Sequence, residues 1–323
     1  MLLVSLVLFV LVLTLPAIPS IFEVRKPKDD GRLHITEQYI RDPRFFGRSF
    51  RHKLAPFVTQ ARGNSYGRAE LQMRTDEEVR WSPDLQIPAL ERLRGIGVGE
   101  RVVVGHGAGI RDAYALERLD VENDVVARTL TSDATMHIGS AVQILRWIDA
   151  DGDIEVDSDS DLGLSASGGS RVTLGERVRF ERVWGAPVAS HTSHREAFEL
   201  GRNKVTVVDA KSLGDKNSLI FYGAVQVAAG TTIREHLKVH GSIAIEPGVH
   251  IGGNVIARGD VTLAEDVTVG GHIFAEGDIR LGPRSRVSRE NVSKTVYATG
   301  AVLVANDVEV FGWVVSENGG HTL

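Results

Sequence analysis

The chain of 323 residues contains no cysteine, few aromatic residues and no excess of positive charge. The lack of cysteine excludes disulfide bonds and thiol chemistry. Aromatic residues make up only 6% of the chain whereas glycine occurs 34 times, which favours a thin, repetitive core with many tight turns over a large globular core. The net charge of −5 gives no indication of nucleic-acid binding.

The N-terminus carries an apolar segment, with no charged side chain between Leu2 and Phe22. About 20 apolar residues span the hydrocarbon core of a bilayer. No Lys or Arg precedes the segment and no Ala-x-Ala site follows it, which argues against a cleaved signal peptide. We therefore predict a single transmembrane anchor over residues 1–22.

Basic residues follow this segment and none precedes it. Positively charged flanks stay on the inside of a membrane, which predicts a body that lies in the cytoplasm. Residues 41–53 combine basic side chains with three phenylalanines, so they are predicted to rest on anionic lipid headgroups, with an ordinary solvated linker as the alternative. The candidate membrane-surface residues are Arg41, Arg44, Arg48, Arg51 and Lys53.

A repeat of eighteen residues dominates positions 225–278. Three successive rows read VQVAAGTTIREHLKVHGS, IAIEPGVHIGGNVIARGD and VTLAEDVTVGGHIFAEGD. Each row has three pairs of apolar residues that alternate with period two, which indicates three strands, and Gly-Asp pairs close rows as tight corners require. The sequence therefore predicts an all-β fold, a three-sided parallel β-helix with about 18 residues per coil, whose stacked coils bury a common core.

Similar apolar pairs occur earlier in the chain, beginning with Ile96 and Val98. Residues 23–95 show little periodicity and are predicted to be a linker with one short helix near 89–94. The predicted organisation is an anchor at 1–22, a juxtamembrane linker at 23–95, a first β-helix block at 96–188, an insert at 189–219 and a second β-helix block at 220–323.

Three motifs suggest other chemistry. The glycines of VVVGHGAGI, residues 102–110, lack the G-x-G-x-x-G spacing of a dinucleotide-binding loop and are explained equally well as coil corners. In the acidic stretch 149–161, counted from Asp149, the sixth and twelfth positions are Ile154 and Ser160 instead of the Gly and Glu that an EF-hand loop needs. The motif HTSHRE, residues 191–196, offers zinc too few ligands on its own. We therefore predict no cofactor, no metal and no catalytic residue.

The rows HGSIAIEPGVHIGGNVIARGDVTLAEDVTVGGHIFAEGDIRLG, residues 240–282, resemble the bactofilins, which are polymer-forming cytoskeletal proteins of bacteria. The later run TVYATGAVLVANDVEVFGWVV, residues 295–315, is similar to them in the same way. The resemblance implies a right-handed β-helix that stacks end to end into filaments without a nucleotide. It also implies a place at the bacterial inner membrane and a role in cell shape or envelope organisation. The anchor, the linker and the first block depart from a small bactofilin.

The leading functional hypothesis is therefore a non-enzymatic, membrane-anchored scaffold whose partners are membrane lipid, envelope-associated proteins and other copies of the chain. The last row is apolar and no amphipathic capping helix follows it, so this coil is predicted to contact the same coil of a second molecule. The candidate self-assembly residues are Val308, Val310, Phe311 and Trp313. The alternative is a hexapeptide-type acyltransferase acting on envelope sugars, because His236 and His272 share one position of the repeat.

Overall fold

The computed structural model describes residues 42–63, 79–192, 198, 206–208 and 218–323. The predicted anchor at 1–22 lies outside these residues. In the part of the chain that is described, no helix is both long enough and apolar enough to cross a bilayer.

The described residues contain one α-helix and 27 β-strands. The helix, α1, is Phe45–Gly63. The strands of the first block are β1 (Val79–Trp81), β2 (Asp84–Ile87), β3 (Arg92–Val104), β4 (Gly109–Val121), β5 (Val126–Ser132), β6 (Thr135–Ile138), β7 (Gln143–Ala150), β8 (Ile154–Val156), β9 (Ser165–Gly168), β10 (Val172–Leu174) and β11 (Arg179–Ser190). The strands of the second block are β12 (Thr206–Val208), β13 (Ser218–Tyr222), β14 (Val225–Val227), β15 (Thr232–Ile233), β16 (His236–His240), β17 (Ile243–Ile245), β18 (His250–Ile251), β19 (Val255–Ala257), β20 (Val261–Leu263), β21 (Thr268–Val269), β22 (Ile273–Ala275), β23 (Ile279–Leu281), β24 (Arg286–Val287), β25 (Lys294–Ala298), β26 (Val302–Val304) and β27 (Glu309–Thr322).

The strands wind into a parallel β-solenoid of about 12 coils, which confirms the predicted repeat of about 18 residues. Three strands form each coil of the second block, and each pairs in parallel with the strand one coil later, as β18 does with β21 through Ile251 and Val269. Both of these side chains are buried in the core, as are Val249 and Val267, so the predicted register of this block is confirmed. The right-handed winding stays a prediction.

The corners of the second block are held by a ladder of polar side chains. The Ser242 hydroxyl accepts the backbone N–H of Asp260 at 3.0 Å, and the Asp260 carboxylate accepts that of Asp278 at 2.9 Å. Each side chain therefore satisfies a backbone donor of the next coil, where the ladder of the flat strands is interrupted. A side chain on Gly277 would overlap Asp260, so the Gly-Asp pair is required by the spacing of the coils.

The solenoid begins earlier than predicted. Strands β1 and β2 form its first coil and pair with β3, although they lie in the predicted linker. The short helix predicted near 89–94 is wrong, because β3 begins at Arg92. The helix of this region is instead α1, which buries Leu54, Phe57, Val58 and Ala61 along one face, as an amphipathic helix does.

Helix α1 covers one side of the first block and reverses the expected register beneath it. Ile96 and Val98 were predicted to point into the core, yet they point outwards and pack against Phe57 of α1 and its buried neighbours. Gly97 lies between them, and a Cβ atom there would meet core side chains such as Leu85. Both faces of these strands are apolar because one faces the core and the other faces the helix.

The two blocks meet at their C-terminal coils. Strand β11 pairs antiparallel with β27, whereas the other named strands pair in parallel. Residues of both blocks belong to one hydrophobic core that runs from Leu85 to Val314. The chain therefore winds towards the junction from both sides, and the first coil of each block lies at an outer end.

Candidate functional site

The predicted self-assembly residues lie at the junction inside the molecule. Val310 pairs with Val188, and Trp313 pairs with Trp184, across the antiparallel β11–β27 contact. Val308 and Val310 are 1% exposed. The premise that the C-terminal coil is an open end is therefore wrong, because β11 of the same chain supplies the missing strand.

Phe311 is also explained by contacts within the chain. It is buried, and the guanidinium carbon of Arg286 lies 4.9 Å from the centre of its ring. Ser190 of β11 closes the same region, since its hydroxyl accepts the Val308 backbone N–H at 3.0 Å. The ends that remain for contacts with other molecules are the two outer ends.

The outer end of the first block is closed by charge. Arg80 stands in register with Gly97, in a column whose later members are core residues. Glu91 lies at the position that buried Ala108 takes one coil later. The register follows from the backbone, since Gly109 donates its N–H to the Glu91 carbonyl. The Arg80 guanidinium and the Glu91 carboxylate pair at 2.7 Å. Inward-pointing charges at a terminal coil discourage another chain from adding to the edge.

The outer end of the second block is apolar. Leu219 and Phe221 of β13 pack against the core but are only partly buried. Strand β13 pairs with β16, and no strand among the described residues covers its other edge. Next to it, Tyr222 is 82% exposed and stacks on His240 with ring centres 4.9 Å apart. Within the described ranges, this end presents an apolar surface together with a strand edge that has no partner.

Two of the predicted membrane-surface residues point into the protein. Arg44 bonds Asp149 at 3.1 Å and also pairs with Asp151, while Arg51 bonds Asp133 at 2.7 Å and pairs with Asp149. Burial lowers the pKa of both arginines, but the hydrogen bonds and negative charge of the aspartates outweigh it and raise the pKa. The assignment of Arg44 and Arg51 to a lipid surface is therefore wrong, because they lock α1 onto the solenoid.

The other basic residues of this segment lie at the surface or outside the described residues. Arg48 and Lys53 are exposed on the outward face of α1, and Arg41 lies outside the described residues. Gly47 allows the close approach of the helix, since a Cβ atom there would overlap the Asp149 carboxylate. The predicted lipid contact of Arg48 and Lys53 stays a prediction.

The acidic stretch 149–161 is matched by arginines. Beyond the aspartates that hold α1, Asp159 lies 2.6 Å from Arg177 and Asp161 lies 3.4 Å from Arg179, both one coil later. Over the residues that the structure describes, no three His, Asp or Glu side chains are grouped to hold a metal ion. This stretch is a ladder of ion pairs on the outside of the solenoid.

The two remaining motifs fall at coil corners or outside the described residues. Residues 102–110 form the end of β3, a turn with Gly107 at φ +66°, and the start of β4. This arrangement is that of a coil corner between two parallel strands. Residues 193–196 of the HTSHRE motif lie outside the described residues.

The histidine column has a structural explanation. His236 Nδ1 accepts the Asn254 backbone N–H at 2.8 Å, the Asn254 side chain accepts that of His272 at 2.9 Å, and His272 Nδ1 accepts that of Thr295 at 3.1 Å. Burial, assisted by the charge of Lys294, lowers the pKa of His272 and keeps the ring a neutral acceptor. The column is a second corner ladder.

The described part of the chain defines a class of protein, the parallel β-solenoids, with two blocks joined at their C-terminal coils. No protein-family model matches the chain, and no curated protein or solved structure is significantly similar to it. The resemblance to bactofilins therefore stays a prediction.

The role of Arg80 and Glu91 is not evident from the sequence. Their charges interrupt an apolar alternation and so hide the first coil within what resembles a linker. The alternation of Leu85 and Ile87, an apolar pair of the kind that marks later coils, was the available signal.

Proposed function

We propose that this protein is a non-enzymatic scaffold of the bactofilin-like type, which associates with the bacterial inner membrane and self-assembles through the outer end of its second block. The observation that carries the proposal is the apolar end at β13, where partly buried Leu219 and Phe221 adjoin a strand edge that no described strand covers. Such an edge is a template for pairing with another chain.

The junction between the two blocks provides an example of the end-to-end contact that we propose between two copies. There, the terminal coils of two solenoid blocks meet end to end, and their edges satisfy one another through antiparallel pairing of β11 with β27. Two copies related by a two-fold axis can bring their β13 edges together in the same antiparallel sense. A contact of this kind is self-complementary and therefore closes as a pair.

The opposite end of the molecule limits further growth. Arg80 and Glu91 place charge where a stacked coil would need apolar side chains. Chains that associate only through β13 form pairs, and a filament requires that the charged end also takes part. The supported assembly is therefore a pair of chains, held at the membrane by the predicted anchor over residues 1–22.

The test of assembly compares two lysine variants of the full chain by sedimentation velocity. Phe221→Lys places a charge at the β13 end and is expected to turn pairs into single chains. Ile256→Lys is the matched control, because Ile256 is 37% exposed on the outward face of β19, away from either end. Circular dichroism establishes that both variants keep their strands.

Two results would contradict this proposal. If the unmodified chain sediments as a single chain at high concentration, the self-assembly falls. If Phe221→Lys and Ile256→Lys leave the pairs equally intact, the contact does not involve the β13 end. A reporter fused after Leu323 tests the location separately, since activity that requires export from the cytoplasm would overturn the predicted orientation.

A further inference from the structure

A row of four arginines runs along one corner of the first block, beside the face that α1 covers. The arginine row consists of Arg94, Arg111, Arg128 and Arg146, one from each of four successive coils. Arg111 and Arg128 lie between two aligned pairs, Ile110 with Ala127 and Asp112 with Thr129, so they stand side by side. Arg94 and Arg146 lie at the same corner in the coils before and after this pair, where the strand register shifts by one residue. Successive coils lie about 4.8 Å apart.

The two inner arginines of the row differ from the two outer ones in their contacts with acidic residues. Asp112 is buried, and its carboxylate lies 3.3 Å from Arg111 Nε. It also accepts the Nε–H of Arg128 at 2.9 Å. Arg94 and Arg146 are exposed, and among the described residues no carboxylate oxygen lies within 4.0 Å of either. Arg94 and Arg146 therefore present exposed positive charge at the two ends of the row, on a chain whose total charge is −5.

A groove opens beside the N-terminal part of the row. It has a volume of about 560 Å³, and its rim includes Arg92, Arg94 and Arg111. Leu93 and Ile110 form its floor. Arginine binds phosphate groups through paired N–H donors, so this rim suits a ligand that carries phosphate next to apolar groups.

Apolar side chains are exposed at the other end of the row. Leu145 and Leu164 are each 52% exposed, and Leu164 donates its backbone N–H to the Arg146 carbonyl at 2.8 Å. Phe46, at the start of α1, is 48% exposed and stacks on Trp147 with ring centres 6.3 Å apart. These three residues form the apolar end of the row: Phe46, Leu145 and Leu164.

We propose that the arginine row and its apolar end form a binding surface for anionic phospholipids. The guanidinium groups bind lipid phosphates, and Phe46, Leu145 and Leu164 enter the boundary between headgroups and acyl chains. The exposed apolar end favours a lipid surface over a soluble polyanion, which offers these side chains no apolar environment. This inference rests on the proposed membrane location. It shares Phe46 with the segment at 41–53, but it assigns the phosphate contact to different arginines.

The absence of cysteine allows a site-specific test on the full chain. Leu164→Cys is labelled with a fluorophore that shifts to the blue in an apolar environment, and the protein is added to vesicles. One set contains phosphatidylcholine only, and the other also contains phosphatidylglycerol. We expect a blue shift only with phosphatidylglycerol, reversed by high salt because the contact is electrostatic.

Paired charge variants in the labelled chain identify the residues responsible. Arg94→Gln with Arg146→Gln is expected to raise the phosphatidylglycerol content needed for the shift by about tenfold or more. The matched control is Arg234→Gln with Arg258→Gln, which removes the same charge from two exposed arginines of the second block and is expected to change nothing. Thermal unfolding verifies that both double variants are folded.

The outcomes separate this inference from the proposed location. If the chain floats with vesicles but the label at position 164 stays in water, the binding surface is overturned and the membrane location stands. If the chain does not float with any vesicle, both are overturned. If millimolar inorganic phosphate abolishes the shift equally in the parent and in the variant Arg94→Gln with Arg146→Gln, the row does not bind lipid phosphate. The same conclusion follows if the control variant Arg234→Gln with Arg258→Gln loses the shift.

Discussion

The charged outer end of the first block can be converted into an apolar one by two substitutions. Arg80→Val together with Glu91→Val removes an ion pair of 2.7 Å and continues two columns that are apolar in the following coils. We expect the double variant to have two ends that bind another copy of the chain instead of one. Chains that form pairs through β13 then join through the altered end as well and grow into filaments.

The magnitude follows from the exposure of the pair. Both side chains are about one third exposed, at 33% and 30%, so loss of this ion pair is expected to cost no more than about 1 kcal/mol of unfolding free energy. A symmetric contact buries four valines at about 1.5–3 kcal/mol each, or about 6–12 kcal/mol in total, against about 4–15 kcal/mol for association. The gain and the cost are of similar size, so growth is expected only at high protein concentrations, with micromolar as the lower limit.

Sedimentation velocity and electron microscopy of the full chain measure the effect. The double variant should sediment faster as its concentration rises and should show filaments, whereas the unmodified chain should stop at pairs. Adding Phe221→Lys to the double variant blocks the β13 end and should return the assembly to pairs joined at the altered end.

A different result would refute the reasoning. If the folded double variant sediments as the unmodified chain does at every concentration, then Arg80 and Glu91 do not control this end. If Arg80→Val alone produces the same filaments as the double variant, the unpaired Glu91 does not oppose stacking, and the account based on buried charge is wrong.

Three further changes test the fold. Val269→Asp buries an unpaired charge and should lower the unfolding free energy by about 4 kcal/mol or more, whereas Thr268→Asp on the outward side should be nearly neutral, and equal losses in thermal melts would show that the register is wrong. Burial lowers the pKa of His272 in the folded protein. Its contribution to stability should therefore be complete above about pH 6.5, the unfolded value, and lost as the pH falls through the lowered folded value. His272→Asn, which copies Asn254 in the same ladder, should remove this pH dependence from thermal melts. Asp149→Asn leaves two arginines under α1 without their buried partner and should cost about 3 kcal/mol, measured as faster hydrogen exchange in α1, and unchanged exchange there would mean that the ion pairs do not hold the helix.

The sequence by itself determined the solenoid and the register of the second block. Strict alternation at fixed positions of each row places Val249 and Val267 in the core, because a strand has only two faces and polar residues occupy the other. The Gly-Asp corners carry the same information, since their side chains bond the next coil at a constant spacing of one repeat. These are local features that recur in successive rows of the second block, so a single chain displays them more than once.

Only the tertiary structure decided which face is buried in the first block and which end of the solenoid is open. Ile96 and Val98 obey the same alternation as core residues but face α1, because a strand covered on both sides has no polar face to reveal its orientation. The C-terminal coil has the composition of an open end, yet β11 covers it by antiparallel pairing between residues that are more than 100 positions apart in the chain. Periodicity reports how a strand repeats along the chain, whereas the partner of a face or an edge depends on contacts between distant segments that leave no period in the sequence.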